Sequence, residues 1–165
     1  MMTSSWENIV HCLRQELVEC GGLLNLFEKQ QSALLSQNAA GVLGEVAAIE
    51  QQVRTLANRR VSREEAVSAF ATAHGQSPTA TLRSLLPHVD IEARPLVEAL
   101  IAEVNRLVYR VRQASRQNHL LLSRTLEINQ ETLQQLRPDS FSKTYSPAGR
   151  VALASPTAST LCHAG

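Results

Sequence analysis

PLVEALIAEVNRLVYRVRQASRQNHLLLSRTLEINQETLQQL, Pro95 to Leu136, decides the fold. Val97, Leu100, Val104, Leu107, Val111, Ala114, Asn118, Leu121, Thr125, Ile128 and Thr132 recur at alternating steps of three and four. The mean step of ~3.5 residues is the period of a coiled-coil seam. No Gly or Pro interrupts the run after Pro95, and Pro is tolerated in a first helical turn, where its missing N–H has no partner anyway. At ~1.5 Å per residue the helix would be about 60 Å long. It cannot bury its stripe against itself, so the rest of the chain has to supply partner helices.

Working back to the start, Trp6, Val10, Leu13, Leu17, Cys20, Leu24, Phe27, Gln31 and Leu34 repeat the same steps. A first helix over about 5–37 follows, with Ser4 or Ser5 as N-cap and Glu7 in the first turn. Gly21-Gly22 should weaken it by ~1 kcal/mol per glycine. The stripe stays in phase across them, so a continuous or mildly bent helix is expected rather than a break. Asn38 can cap a second helix over about 39–74, with the stripe Val42, Val46, Ile49, Val53 and Leu56. Ser62-Arg63-Glu64-Glu65 has capping-box spacing, which can restart a helix, and Gly75 has the place of a left-handed terminator. Ser77-Pro78 reads as an N-cap and first position of a connector helix over about 78–86, ending before Pro87. The last helix, about 92–136, then returns antiparallel to the second. The expected fold is all-α: an antiparallel, coiled-coil-like three-helix bundle over 1–137, with a short connector helix and a flexible, disordered C-terminal tail over 138–165. Three of the six prolines fall in that tail, among Ser, Thr and Ala without periodicity.

Composition supports this plan. Of 165 residues 44% are hydrophobic but only 4% aromatic, so the core is aliphatic, and one domain is expected. A net charge of +1 points to neither a nucleic-acid nor an acidic partner. Cys12, Cys20 and Cys162 are an odd count without framework spacing, which fits a reducing compartment. No basic-then-apolar leader opens the chain, and no run of apolar residues is long enough for a membrane span. A cytoplasmic protein without membrane insertion is expected. Between Glu103 and Glu127 stand Arg106, Arg110, Arg112, Arg116 and Arg124 with no acid, whereas the first helix carries Glu7, Glu16, Glu19 and Glu28. Such charges predict that the first helix lies beside the arginine span.

Little in the sequence carries covalent chemistry. His11, Cys12 and Cys20 are close in sequence, but zinc needs about four converging ligands, and adjacent helical residues diverge. Cys20 sits where a small apolar side chain is wanted. There is no phosphate-cradling Gly loop, nucleophile elbow or His-Glu-x-x-His. Neither enzyme activity nor a cofactor or metal is expected. The arginines spread over several turns with only Tyr109 among them, which suits a solvated face better than phosphate binding.

Two features of the last helix stand out. Asn118 occupies a seam position, where a buried Asn fixes register; the alternative is a groove open to a partner. From there on the helix is apolar on more than one face. Leu120, Leu121 and Leu122 are consecutive, and Leu122, Leu126, Leu133 and Leu136 form a second stripe. That stripe either widens the core or forms an exposed strip that receives an amphipathic helix.

The chain resembles the FlgN family of flagellar type III export chaperones for hook-associated (hook–filament junction) proteins. The residues that carry the likeness are Leu23-Leu24-Asn25-Leu26-Phe27-Glu28-Lys29-Gln30 with Ala33-Leu34-Leu35, the span from Glu50 through Leu56 to Arg59, Asn118-His119-Leu120-Leu121, and Tyr145-Ser146-Pro147-Ala148-Gly149-Arg150. Asn38-Ala39 and Gly21-Gly22 depart from the family's pattern. The resemblance implies a chaperone that covers the C-terminal amphipathic segments of hook-associated proteins before export, prevents premature assembly and delivers them to the export apparatus. The residues expected to meet client are Asn118, Leu121, Leu122, Leu126, Leu133 and Tyr145. A structural coiled-coil scaffold or self-associating bundle, a homo-oligomer, is the competing reading.

Overall fold

The computed structural model describes residues 6–136, together with the backbone of 142–145 and 151–154. The chain is all-α in its main body. Helices α1 (Trp6–Leu35), α2 (Ala39–Ala73), α3 (Leu82–Leu85) and α4 (Arg94–Leu136) follow in order, with a 3-10 turn at Leu86–His88 before α4. Two compact units divide the chain, 1–121 and 122–165, with the boundary inside α4.

In the first unit α1 and α2 pack side by side and antiparallel. Gln52 of α2 meets Glu19 of α1, Arg59 meets Gln15, and the Ser62 carbonyl meets Cys12, so the numbers fall on one helix as they rise on the other. The buried face of α1 is wider than the seam predicts. Besides Val10, Leu13, Cys20, Leu24, Phe27 and Leu34 it includes Ile9, Cys12, Glu16 and Leu23. A helix with neighbours on two sides needs a broader stripe than a single seam.

Gly21-Gly22 does not interrupt α1. A Cβ on Gly22 would lie 2.9 Å from Gln52 Nε2, so the missing side chain makes room for Gln52. That amide donates to the Glu19 carbonyl at 3.1 Å and to Glu19 Oε2 at 2.7 Å. The turn after α1 places Gln37 at φ 56, with Asn38 N donating to Ala33 O at 2.9 Å. Asn38 Oδ1 then caps α2 by accepting from Gly41 N at 3.0 Å. Gly75, at φ 68, closes α2 in the left-handed conformation as its position predicts.

Three local expectations are corrected. Ser62 restarts nothing: α2 runs through it, and its hydroxyl donates back to the Asn58 carbonyl at 3.1 Å. Ser77-Pro78 forms a turn, closed by Ala80 N to Ser77 O at 2.9 Å, and the connector helix begins only after Thr81, which caps Ser84 N. Glu16 and Glu19 turn to Arg63 and Arg59 of α2 rather than to the arginines of α4. α2 presents those guanidinium groups along the face that packs on α1, so the carboxylates are already engaged.

The connector covers one end of the bundle. Leu82, Leu85, Leu86 and Val89 join Ile9, Val10, Leu13, Val67, Phe70, Ala71, Ala93, Val97 and Val104 in one core. Arg94 ties it down by donating to the Val89 and Pro87 carbonyls at 3.0 and 2.7 Å. Trp6 Nε1 donates to Asp90 Oδ2 at 3.0 Å, and Asn118 reaches Phe27 farther along. Within this unit α4 therefore runs parallel to α1 and antiparallel to α2. The α2 stripe is only half covered: Val42 is buried, Ile49 and Leu56 are half-buried, and Val46 and Val53 are exposed.

The second unit contains the end of α4 and a two-stranded antiparallel hairpin. Strand β1 (Ser142–Tyr145) pairs with β2 (Val151–Ala154), Ser142 opposite Ala154 and Tyr145 opposite Val151. The span read as a flexible tail thus holds paired backbone at these strands, where Thr144, Tyr145 and Val151 favour extended conformation. The remaining tail residues lie outside the described residues.

Candidate functional site

Asn118 is 5% exposed on the buried face of α4. Its Nδ2 donates to Phe27 O at 2.8 Å and to Gln30 Oε1 at 3.1 Å. Of its two readings, the geometry matches the register pin: the amide is spent inside the bundle. Leu121, a seam residue like Asn118, is half-buried.

The last turns of α4, Leu122 to Leu136, differ from the rest of the helix in having no buried residue. Leu122, Leu126, Ile128, Leu133 and Leu136 are 37–73% exposed. Leu122, Leu126 and Leu133 recur at steps of four and seven and so share one face. Charges are sparse on this stretch, only Arg124, Glu127 and Glu131, and Asn129, Gln130, Gln134 and Gln135 are neutral amides. The Thr132 hydroxyl donates back to the Ile128 carbonyl at 2.9 Å, which satisfies it within the helix. Covering one exposed leucine contributes about 1.5–3 kcal/mol, so several in a row can hold an amphipathic segment without any polar anchor. Of the residues expected to meet a partner, Leu122, Leu126 and Leu133 are thus brought onto one exposed strip, whereas Asn118 is withdrawn from it. The Tyr145 backbone lies in β1, and its side chain lies outside the described residues.

The other candidates are structural. Cys12 and Cys20 are buried in α1. Burial, with the nearby Glu16 and Glu19 carboxylates, pushes the Cys20 thiol up to about 11, and burial also raises Cys12. Such thiols are poor nucleophiles and poor metal ligands at neutral pH. Among the described residues no three His, Cys, Asp or Glu side chains gather as a metal site. An open groove of about 810 Å³ lies beside Trp6, His88, Ile91 and Leu96.

The polar network between α1 and α2 was not foreseen. Arg63 Nε donates to Glu16 Oε2 at 2.6 Å, with the Glu16 side chain 3% exposed. Arg59 donates to Gln15 at 2.9 Å through Nη1 and pairs with Glu19 at 3.5 Å through Nε, which makes an ion pair there but no hydrogen bond. The signal lay in the helix period: Glu16 follows Leu13 by three and precedes Cys20 by four, on the apolar face.

No helix among the described residues is long and apolar enough to cross a membrane. Against models of protein families, the chain matches the one described as FlgN protein over residues 1–152. No curated protein and no solved structure matches it.

Proposed function

The chain belongs to the FlgN family of flagellar export chaperones, and from that premise we propose that it binds the C-terminal amphipathic segments of hook-associated proteins in the cytoplasm. The observation that supports this reading is the strip Leu122, Leu126, Leu133 and Leu136, exposed on a helix whose earlier seam is covered. A client segment that is unfolded before assembly has an apolar face to hide. Laying that face on the strip removes both surfaces from water, which is the helix-in-groove mode of recognition. Ordering the segment costs several kcal/mol, so binding is specific yet reversible. Reversibility is what a carrier needs, because the client must be kept from premature assembly and then released to the export apparatus.

The neutral amides beside the strip fit this role, since they accept hydrogen bonds from many sequences without demanding a charged partner. A self-associating scaffold would use the same strip against a copy of itself. Solution mass with and without a hook-associated protein separates the two. The chaperone reading expects a defined heterocomplex that is lost when the client's C-terminal segment is deleted. It also expects L122E/L126E to abolish client binding with helical content unchanged by circular dichroism. A fixed homo-oligomer that ignores the client, or client affinity untouched by L122E/L126E, overturns it.

A further inference from the structure

The arginine span of α4 is left without the carboxylates that were expected to cover it. Glu16 and Glu19 are held by Arg63 and Arg59 of α2. On α4 only Arg106 has an ion pair among the described residues, and its partner is Glu103 of the same helix. Arg110, Arg112 and Arg116 are exposed. Arg112 and Arg116 are four residues apart, so they set like charges on adjacent turns, which disfavours the helix slightly. Between Glu103 and Glu127 the helix thus carries charge of one sign only.

Two apolar side chains lie in the same face. Tyr109 is 67% exposed and Leu120 is 68% exposed. They are eleven residues apart, close to three full turns, with Arg116 seven residues from Tyr109 on the same line. This line is opposite the seam of Val104, Val111 and Asn118, which are buried or half-buried. Ordinary solvent-facing helix surfaces mix charges of both signs; this one does not.

We propose that this face of α4, Tyr109 and Leu120 framed by Arg110, Arg112 and Arg116, docks an acidic amphipathic helix of a partner protein. Tyr109 and Leu120 receive the partner's apolar stripe. The guanidinium forks take its flanking carboxylates, in the manner of coiled-coil flanking pairs. A nucleic acid fits less well: single strands need successive aromatic platforms, and here one tyrosine stands alone with a leucine at the far end. The surface shares no residue with the Leu122–Leu136 strip, and the inference does not rest on the client reading.

The test uses the full chain and a fluorescent synthetic peptide, a heptad helix with Leu at its core positions and Glu at the flanking ones. Binding is read by anisotropy at low and high salt. The expected result is saturable binding that weakens with salt, falls at least about tenfold in R110Q/R112Q/R116Q, and is unchanged in L126Q/L133Q. Glutamine is a good helix former and removes the repulsion, so the triple variant should melt no lower than the parent; a face that served only the fold would instead lose stability. Absence of peptide binding, equal binding by the parent and the arginine variant, loss in L126Q/L133Q instead, or preference for a single-stranded oligonucleotide over the peptide overturns the proposal.

Discussion

The Asn118 side-chain amide donates to the main-chain carbonyl of Phe27 at 2.8 Å, inside the bundle and 91 residues away in sequence. With the Trp6 to Asp90 bond near the start of α4, it fixes α4 in register on α1. A seam of Val, Leu and Ala alone can slide by a heptad at little cost. A buried amide resists that slide, because a shifted register gives up the Phe27 and Gln30 acceptors.

Replacing Asn118 with Ala should therefore lower the unfolding free energy by about 1–3 kcal/mol, read from urea denaturation. Asn118→Leu restores apolar contact but not the register. It should recover part of that stability while broadening amide resonances of α1 and α4 in NMR spectra. A variant as stable and as well dispersed as the parent would show that the bond positions nothing.

The helices, their order and the antiparallel return were legible because the seam period is a property of the local sequence. Seam residues of α4 from Val97 to Thr125 are all buried or half-buried, whereas Ile128 and Thr132 are exposed. What period alone could not give was which charges meet. Glu16 and Glu19 had arginines available on both α2 and α4, and only packing geometry selects Arg63 and Arg59. Nor could it choose the start of the connector helix: Ser77 and Thr81 are both competent caps, and Thr81 is the one that puts Leu82 and Leu85 into the core. For the candidate site, the second leucine stripe was visible in the sequence, but its exposure was not, since the same pattern serves a wide core equally well.

The Glu16–Arg63 pair makes a sharper prediction. Glu16 is enclosed, so Arg63→Met leaves a carboxylate in the core without its cation, at a cost of about 3–5 kcal/mol. The double variant E16M/R63M replaces both charges with apolar groups of similar length and should regain most of that loss. Thermal melts of the parent, E16M, R63M and the double variant form the cycle. Equal destabilisation by the single and double variants would mean that packing, not charge, governs the site.

The two central glycines of α1 should respond differently to alanine. A Cβ at Gly21 meets nothing within 4 Å, so G21A should stabilise by about 0.5–1 kcal/mol through helix propensity alone. At Gly22 the new methyl would displace Gln52 and break its bonds to Glu19. G22A should therefore gain nothing or lose slightly. Urea midpoints of the two variants, measured side by side, check the contrast.

Cys20 should make the fold sensitive to alkali. Its thiol is 0% exposed, and burial, then Glu16 and Glu19, raise its pKa from 9.0 to about 11. The unfolded chain ionises this thiol near the ordinary value and the folded chain does not. The stabilisation is complete below pH 9 and is lost as pH rises through about 11, amounting to on the order of 2–3 kcal/mol. Cys12, raised in the same direction by burial, adds to the slope. Comparing urea midpoints between pH 8.5 and 11 with those of Cys20→Ala isolates the effect from other alkaline titrations, because the variant should show a shallower decline. In a Cys162→Ser background, neither Cys12 nor Cys20 should react with iodoacetamide at neutral pH until denaturant is added. Prompt alkylation of the folded protein would show that α1 opens far more readily than its packing implies.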